Sequence, residues 1–199
     1  MLGQVRDRDI LSTRLTKKIA ELPPEQVRGP VEAEITKTLA AEREDAVGGL
    51  TTAMRTSRYA HLVQLLRGWR AAPPLTEAAG EEAKTAVKYV EKAKQKADKR
   101  LRKADDDIER LHRARRATKR TRYAAELVEP ADSEMKAVAR DAEELQTLLG
   151  EHQDATVAAN FLATISSDGD GIEGTGFTYG ILMANELNRA AQIRASLRN

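Results

Sequence analysis

The sequence predicts an all-α fold, a compact helical bundle, on three observations. Ala, Leu, Glu, Lys and Arg are abundant while Phe, Trp and Tyr make up only 4% of the 199 residues, a composition of strong helix formers. Apolar residues recur at three- and four-residue intervals, and no segment shows the strict alternation of a strand. Pro and Gly clusters fall between these periodic stretches and punctuate them.

Each element follows in order. A first helix is expected over 9–22, with Leu11, Leu15, Ile19 and Leu22 among its apolar side, ended by Pro23-Pro24. A second is expected over about 24–55, with Val27, Val31, Ile35, Leu39, Val47, Leu50 and Met54 in its seam and a weak point at Gly48-Gly49. Ser57 reads as the N-cap of a third helix that runs through Trp69. Ala72-Pro73-Pro74 is the clearest break. Thr76 then caps a helix that continues to about residue 103, with Glu77, Glu81 and Glu82 near its positive end. The run Asp105-Asp106-Asp107 stops it and caps a helix over about 107–128, ended by Pro130. Another starts at Asp132 or Ser133 and stops at Gly150, read as a C-terminal cap. A further helix covers 154–165, a Gly- and Asp-rich loop covers 166–176, and the last helix covers 177–197.

Composition removes several classes of function. The chain has no cysteine, which excludes disulfides, thiolate zinc sites and a cysteine nucleophile and fits a cytoplasmic setting. No apolar run is long enough to span a bilayer, and MLGQVRDRDI is charged too early to be a secretory leader. No Walker loop, GxSxG or HExxH is present. Glu32-Ala33-Glu34-Ile35-Thr36-Lys37 resembles an ExExK signature but has one residue too many and lies in a helical pattern. Asp168-Gly169-Asp170-Gly171 lacks the later ligands of a calcium loop. The expectation is a non-enzyme with no metal and no cofactor.

The formal net charge of +2 hides a segregation. Residues 84–122 carry sixteen Lys or Arg against six Asp or Glu, a local excess of +10, and the rest of the chain is acidic. Such asymmetry points to an anionic partner. Within it, His112, Arg115, Lys119 and Arg122 are spaced three, four and three apart and share one helical stripe. Like charges so aligned repel one another; in an ordinary bundle helix this stripe would be Leu or Ile, and here small Ala and Thr residues stand between the basic ones. Arg116, Arg120 and Tyr123 add donors to the same segment. Arg offers a planar fork to phosphate and Lys an adaptable point charge. Lys84, Lys88, Lys92, Lys96, Lys99 and Lys103 form a second row on the preceding helix, expected to flank a channel if the two helices are antiparallel. The bland reading of such a row is a solvated face.

Leu2-Gly3 with Asp7 echoes Leu149-Gly150 with Asp154, which reads as the same helix boundary used twice. The segments LHRARRATKRTRYAAEL (111–127), LQTLLGEHQDATVAANFL (145–162) and LGQVRDRDIL (2–11) together resemble the CHAD family, the conserved-histidine α-helical domain. That resemblance implies a single domain over 1–199, a bundle of two pseudo-repeated helical halves. These are 1–72, incomplete at its N-terminus, and 75–199, which holds the main basic helices. It also implies a basic surface that binds inorganic polyphosphate, association with polyphosphate granules, and a functional set of His112, Arg115, Arg116, Lys119 and Arg122, with Arg6 matching a basic residue of the first half. The first-half counterpart of the basic helix would fall before residue 1, so truncation or a homodimer that completes the fold is expected. No membrane partner is expected, and nucleic acid only as a non-specific competitor. A helical scaffold for another protein, or a general nucleic-acid binder, is the alternative; an accessory role beside a triphosphate-processing enzyme ranks lower.

Overall fold

The structure, a computed structural model, describes residues 2–105, 107–168 and 174–198. Among them it holds seven α-helices and no strand. These are α1 (Leu2–Ala20), α2 (Val31–Met54), α3 (Ser57–Ala71), α4 (Val87–Arg102), α5 (Ile108–Val128), α6 (Met135–Asp168) and α7 (Thr175–Ser196), with short 3-10 turns at Pro24–Gln26, Glu77–Gly80 and Ala83–Ala86. The chain forms two compact units, Met1–Thr76 with Val157–Glu186, and Glu77–Thr156 with Leu187–Asn199. Helices α6 and α7 each contribute to both.

The first unit is built around Leu11, Leu15 and Ile19 of α1 and Val31, Ile35 and Leu39 of α2, closed by Ala158 and Leu162 of α6 and Tyr179 and Leu182 of α7. Burial of each large aliphatic side chain contributes about 1.5–3 kcal/mol. The expected second helix is split. Gly29 has a φ of +71°, which favours glycine, and Pro30 follows it and opens α2. The first turn of α7 grips this loop. Thr178 donates to the Gln26 carbonyl at 2.7 Å and accepts from the Arg28 N–H at 2.8 Å, and the Arg28 guanidinium stacks 4.2 Å from the centre of the Phe177 ring. Arg14 reaches the buried carboxylate of Glu186 at 2.6 Å. Helix α3 is capped by Thr56 rather than Ser57, through the Tyr59 N–H. It buries none of its residues, and Tyr59, Leu62, Leu65, Leu66 and Trp69 stand exposed.

The second unit contains the α4–α5 hairpin, the first part of α6 and the end of α7. One cluster joins Val90 to Ala125, Val128, Met135 and Ala139. Another joins Ala104, Leu111, Ala114 and Leu149. The helix expected from Thr76 begins only at Val87, after two 3-10 turns. Gly150 ends nothing: α6 runs unbroken for 34 residues. The boundary read twice in the sequence is absent in both places, because Gly3 lies inside α1 as Gly150 lies inside α6. The cost of a helical glycine is about 1 kcal/mol, and the packing of Leu149, His152 and Ala155 on either side of Gly150 offsets it. The calcium-loop pattern at 168–171 lies largely outside the described residues.

Candidate anion-binding site

Helix α5 starts where the sequence says it should. The Asp107 carboxylate accepts from the Arg110 N–H at 2.9 Å and caps the helix. Its buried face is Leu111, Ala114, Ala117, Thr118, Thr121, Ala125 and Val128. The Thr118 and Thr121 hydroxyls bond back to the carbonyls of Ala114 and Ala117, so no polar group on that face is left unmade. This corrects one expectation. The basic stripe does not take the place of core residues; the Ala and Thr positions fill the core, and the cations emerge beside it.

The stripe itself divides into tethered and free members. His112 Nδ1 lies 3.1 Å from Gln153 Oε1 on α6. With that oxygen accepting, Nδ1 carries the proton and Nε2 is left for a further partner. Arg122 is neutralised: it donates to Glu126 at 2.6 Å and sits 3.0 Å from Glu143 of α6. The hydrogen bond to Glu126 holds its pKa above the ordinary arginine value, against the opposing effect of partial burial. Arg115 differs. It is half-buried against Gly150, where a Cβ would lie 3.5 Å from its Nε. That Nε is buried without a hydrogen-bond partner among the described residues, and so is Gln146 Oε1 one turn earlier on α6. A buried unpaired donor costs roughly 1–3 kcal/mol.

Arg116, Lys119, Arg120 and Tyr123 form the exposed ridge of α5. Arg116 and Arg120 make no ion pair or hydrogen bond among the described residues, and Lys119 Nζ rests 5.4 Å from the centre of the Tyr123 ring. The structure therefore brings His112, Arg115, Arg116, Lys119, Arg120, Arg122 and Tyr123 onto one helix side by side. It places Lys99 and Lys103 elsewhere, in an open cavity of about 780 Å³ at the α4–α5 turn. Lys84 stands in a 3-10 turn ahead of α4, and Lys88 is 3.8 Å from Glu81. Arg6 belongs to the other unit, exposed and 3.9 Å from Asp7. Among the described residues no His, Asp and Glu side chains gather as a metal site needs, and no helix is long and apolar enough to cross a membrane.

One further histidine has a structural role that its sequence neighbourhood does not show. His152 is almost fully buried, and Arg194 of α7 approaches its Nε2 at 3.1 Å. Arginine only donates, so Nε2 is the acceptor of this contact. It pins α6 to the end of α7 within the second unit. It lies in the 145–162 segment already singled out, but nothing local marks it as a buried acceptor.

An all-α bundle with a cationic ridge beside a small-residue core is the class that fold and surface define. The family model of the CHAD domain matches residues 1–163, and the chain belongs to that family. An uncharacterized protein of Mycobacterium tuberculosis, in the strains CDC 1551 / Oshkosh and ATCC 25618 / H37Rv, is 29% identical over 203 residues, which cover 99% of this chain. The chain spans 39% of that relative's length. No solved structure matches the chain.

Proposed function

We propose that the α5 ridge captures inorganic polyphosphate, without catalysis, by multivalent contact with Arg115, Arg116, Lys119 and Arg120 and with His112 at its edge. The observation that carries this reading is Arg115: a guanidinium half-buried on Gly150 with an unpaired Nε, beside three exposed cations. An isolated protein gains nothing from such repulsion, whereas a linear polyanion lying along the ridge relieves it. A phosphate chain has no base edges, so selection rests on charge density. The sparse aromatic content gives little stacking surface for single-stranded nucleic acid. Binding releases counterions, and affinity should fall steeply with salt.

The test is titration of long-chain polyphosphate into the protein and into the Arg115→Ala/Arg116→Ala/Lys119→Ala variant. At least a tenfold loss of affinity with an unchanged helical spectrum is expected; unaltered binding would remove the ridge as the site. Equal affinity for single-stranded DNA would reduce it to a general polyanion surface, and phosphate released on incubation would make it a hydrolase. A helical scaffold is the second reading, favoured by α3, which leaves Leu62, Leu65, Leu66 and Trp69 exposed. It becomes the better one if polyphosphate does not bind.

A further inference from the structure

A second cationic surface lies apart from the α6-facing stripe. Helix α4 ends at Arg102 and α5 starts at Ile108, and between them Asp105 has a φ of +44°, which a short polar side chain tolerates. The hairpin brings the last turns of α4 against the first turns of α5 and opens the 780 Å³ cavity already noted. Seven Lys or Arg line it, and Asp105 is the one acid among the lining residues described.

Cations in the last turn of a helix complement its dipole, and that accounts in part for Lys99, Arg100, Arg102 and Lys103. It does not account for Arg110 and Arg113, which stand near the positive end of α5. Two guanidiniums are also clipped across the hairpin. Arg110 Nη1 donates to the Lys103 carbonyl at 3.2 Å, and Arg100 Nη1 donates to the Arg113 carbonyl at 3.5 Å. Each clip uses one donor of five and fixes the plane of the fork before any ligand arrives. Arg110 and Arg113 have acid neighbours in Asp107 at 3.2 Å and Glu109 at 3.9 Å. Lys96, Lys99, Arg102 and Lys103 have none among the described residues. The cup thus combines two oriented forks with four cations that have no acid partner among the described residues.

We propose that this cup is a separate anion site, which takes a compact run of phosphates such as the end of a polyphosphate chain. Arg113 and Arg116 are one turn apart on α5, so the rim of the cup continues into the ridge. This rests on the polyphosphate reading and adds a length rule to it. A short chain fills the cup or the ridge. A long chain engages both, and the second contact becomes intramolecular, which raises affinity without new contacts.

Tripolyphosphate and long-chain polyphosphate, titrated calorimetrically into the whole chain, test the proposal. The wild-type protein should take two tripolyphosphates. The Lys99→Ala/Arg102→Ala/Lys103→Ala variant should take one, and should bind the long chain at least tenfold more weakly. The Lys96→Gln/Lys103→Gln variant, which keeps the aliphatic stems and helix propensity, should move in the same direction by a smaller factor. The ridge variant described above should keep one tripolyphosphate, the one in the cup. A single tripolyphosphate in the wild type that the cup variants still take, or two in the cup variants with unchanged long-chain affinity, would overturn the cup. Loss of one site in the cup variant with no loss in the ridge variant would overturn the ridge reading and leave the cup standing.

Discussion

Tyr179 shows how one buried polar group ties stability to pH. Its side chain is 3% exposed and its hydroxyl donates to Glu34 Oε2 at 2.6 Å. Burial first, and the carboxylate second, push its pKa well above the ordinary tyrosine value. The folded protein therefore keeps the phenolic proton at a pH where the unfolded chain, with a pKa near 10, gives it up. The sign follows from linkage: this contribution is complete below about pH 10 and declines as the pH climbs above it. A hydrogen bond to a charged acceptor contributes about 1.5–3 kcal/mol. Tyr179→Phe should thus destabilise the protein by roughly that much at pH 7. Urea unfolding between pH 7 and 11 should show the gap between wild type and variant narrowing at the alkaline end. A gap that stays constant across the range would mean the hydroxyl is not the titrating group.

At the scale of the element, α5 and α6 set which cations are available. Arg122 shares a stripe with Arg115 and Lys119, yet Glu126 and Glu143 already occupy it. Glu143 competes with any anion for that guanidinium. Glu143→Gln should therefore tighten polyphosphate binding by a factor of about 2 to 10, the effect of one freed phosphate contact at low salt, and steepen its salt dependence. Weaker binding would show that Glu143 orients Arg122 for the ligand instead of sequestering it. This pairing also marks where the sequence stopped being legible. The limits of α5, its Asp107 cap and its basic spacing follow from local rules and stand in the structure as read. The division into free and neutralised cations does not, because it depends on Glu143, twenty-one residues away on a helix whose register against α5 no local pattern sets. The continuity of α6 was hidden for a related reason. Gly150 carries a local stop signal, yet the helix continues through it with Arg115 packed over it at van der Waals distance. Gly29-Pro30 was passed over in the opposite sense, since the apolar spacing of Val27, Val31 and Ile35 carries on across a real break.

At the scale of the whole molecule, linear segments and folded units do not coincide. The Pro73-Pro74 break falls close to the boundary after Thr76, but residues 157–186 return to the first unit. They carry Ala158, Leu162, Tyr179 and Leu182, four of the ten buried residues in its core cluster. Without them, Leu15, Val31, Ile35 and Leu39 lose a facing layer, and the pair from Arg14 to Glu186 and the grip of Thr178 on the 26–28 loop disappear as well. Each large aliphatic left facing water forfeits about 1.5–3 kcal/mol, and a domain has only about 5–15 kcal/mol to lose. A fragment ending at Thr76 is therefore expected to be mostly unfolded, although it contains three complete helices. Most of the stability of these helices, 15 to 24 residues long, comes from packing of an apolar face, which the fragment lacks. Circular dichroism of the fragment alone should show weak helicity and no cooperative melt. Mixing it with the fragment from Glu77 onward should restore the signal, since that piece supplies α6 and α7. A fragment that melted cooperatively on its own would show that α1, α2 and α3 make a sufficient core among themselves, and that the return of residues 157–186 adds to a unit already formed.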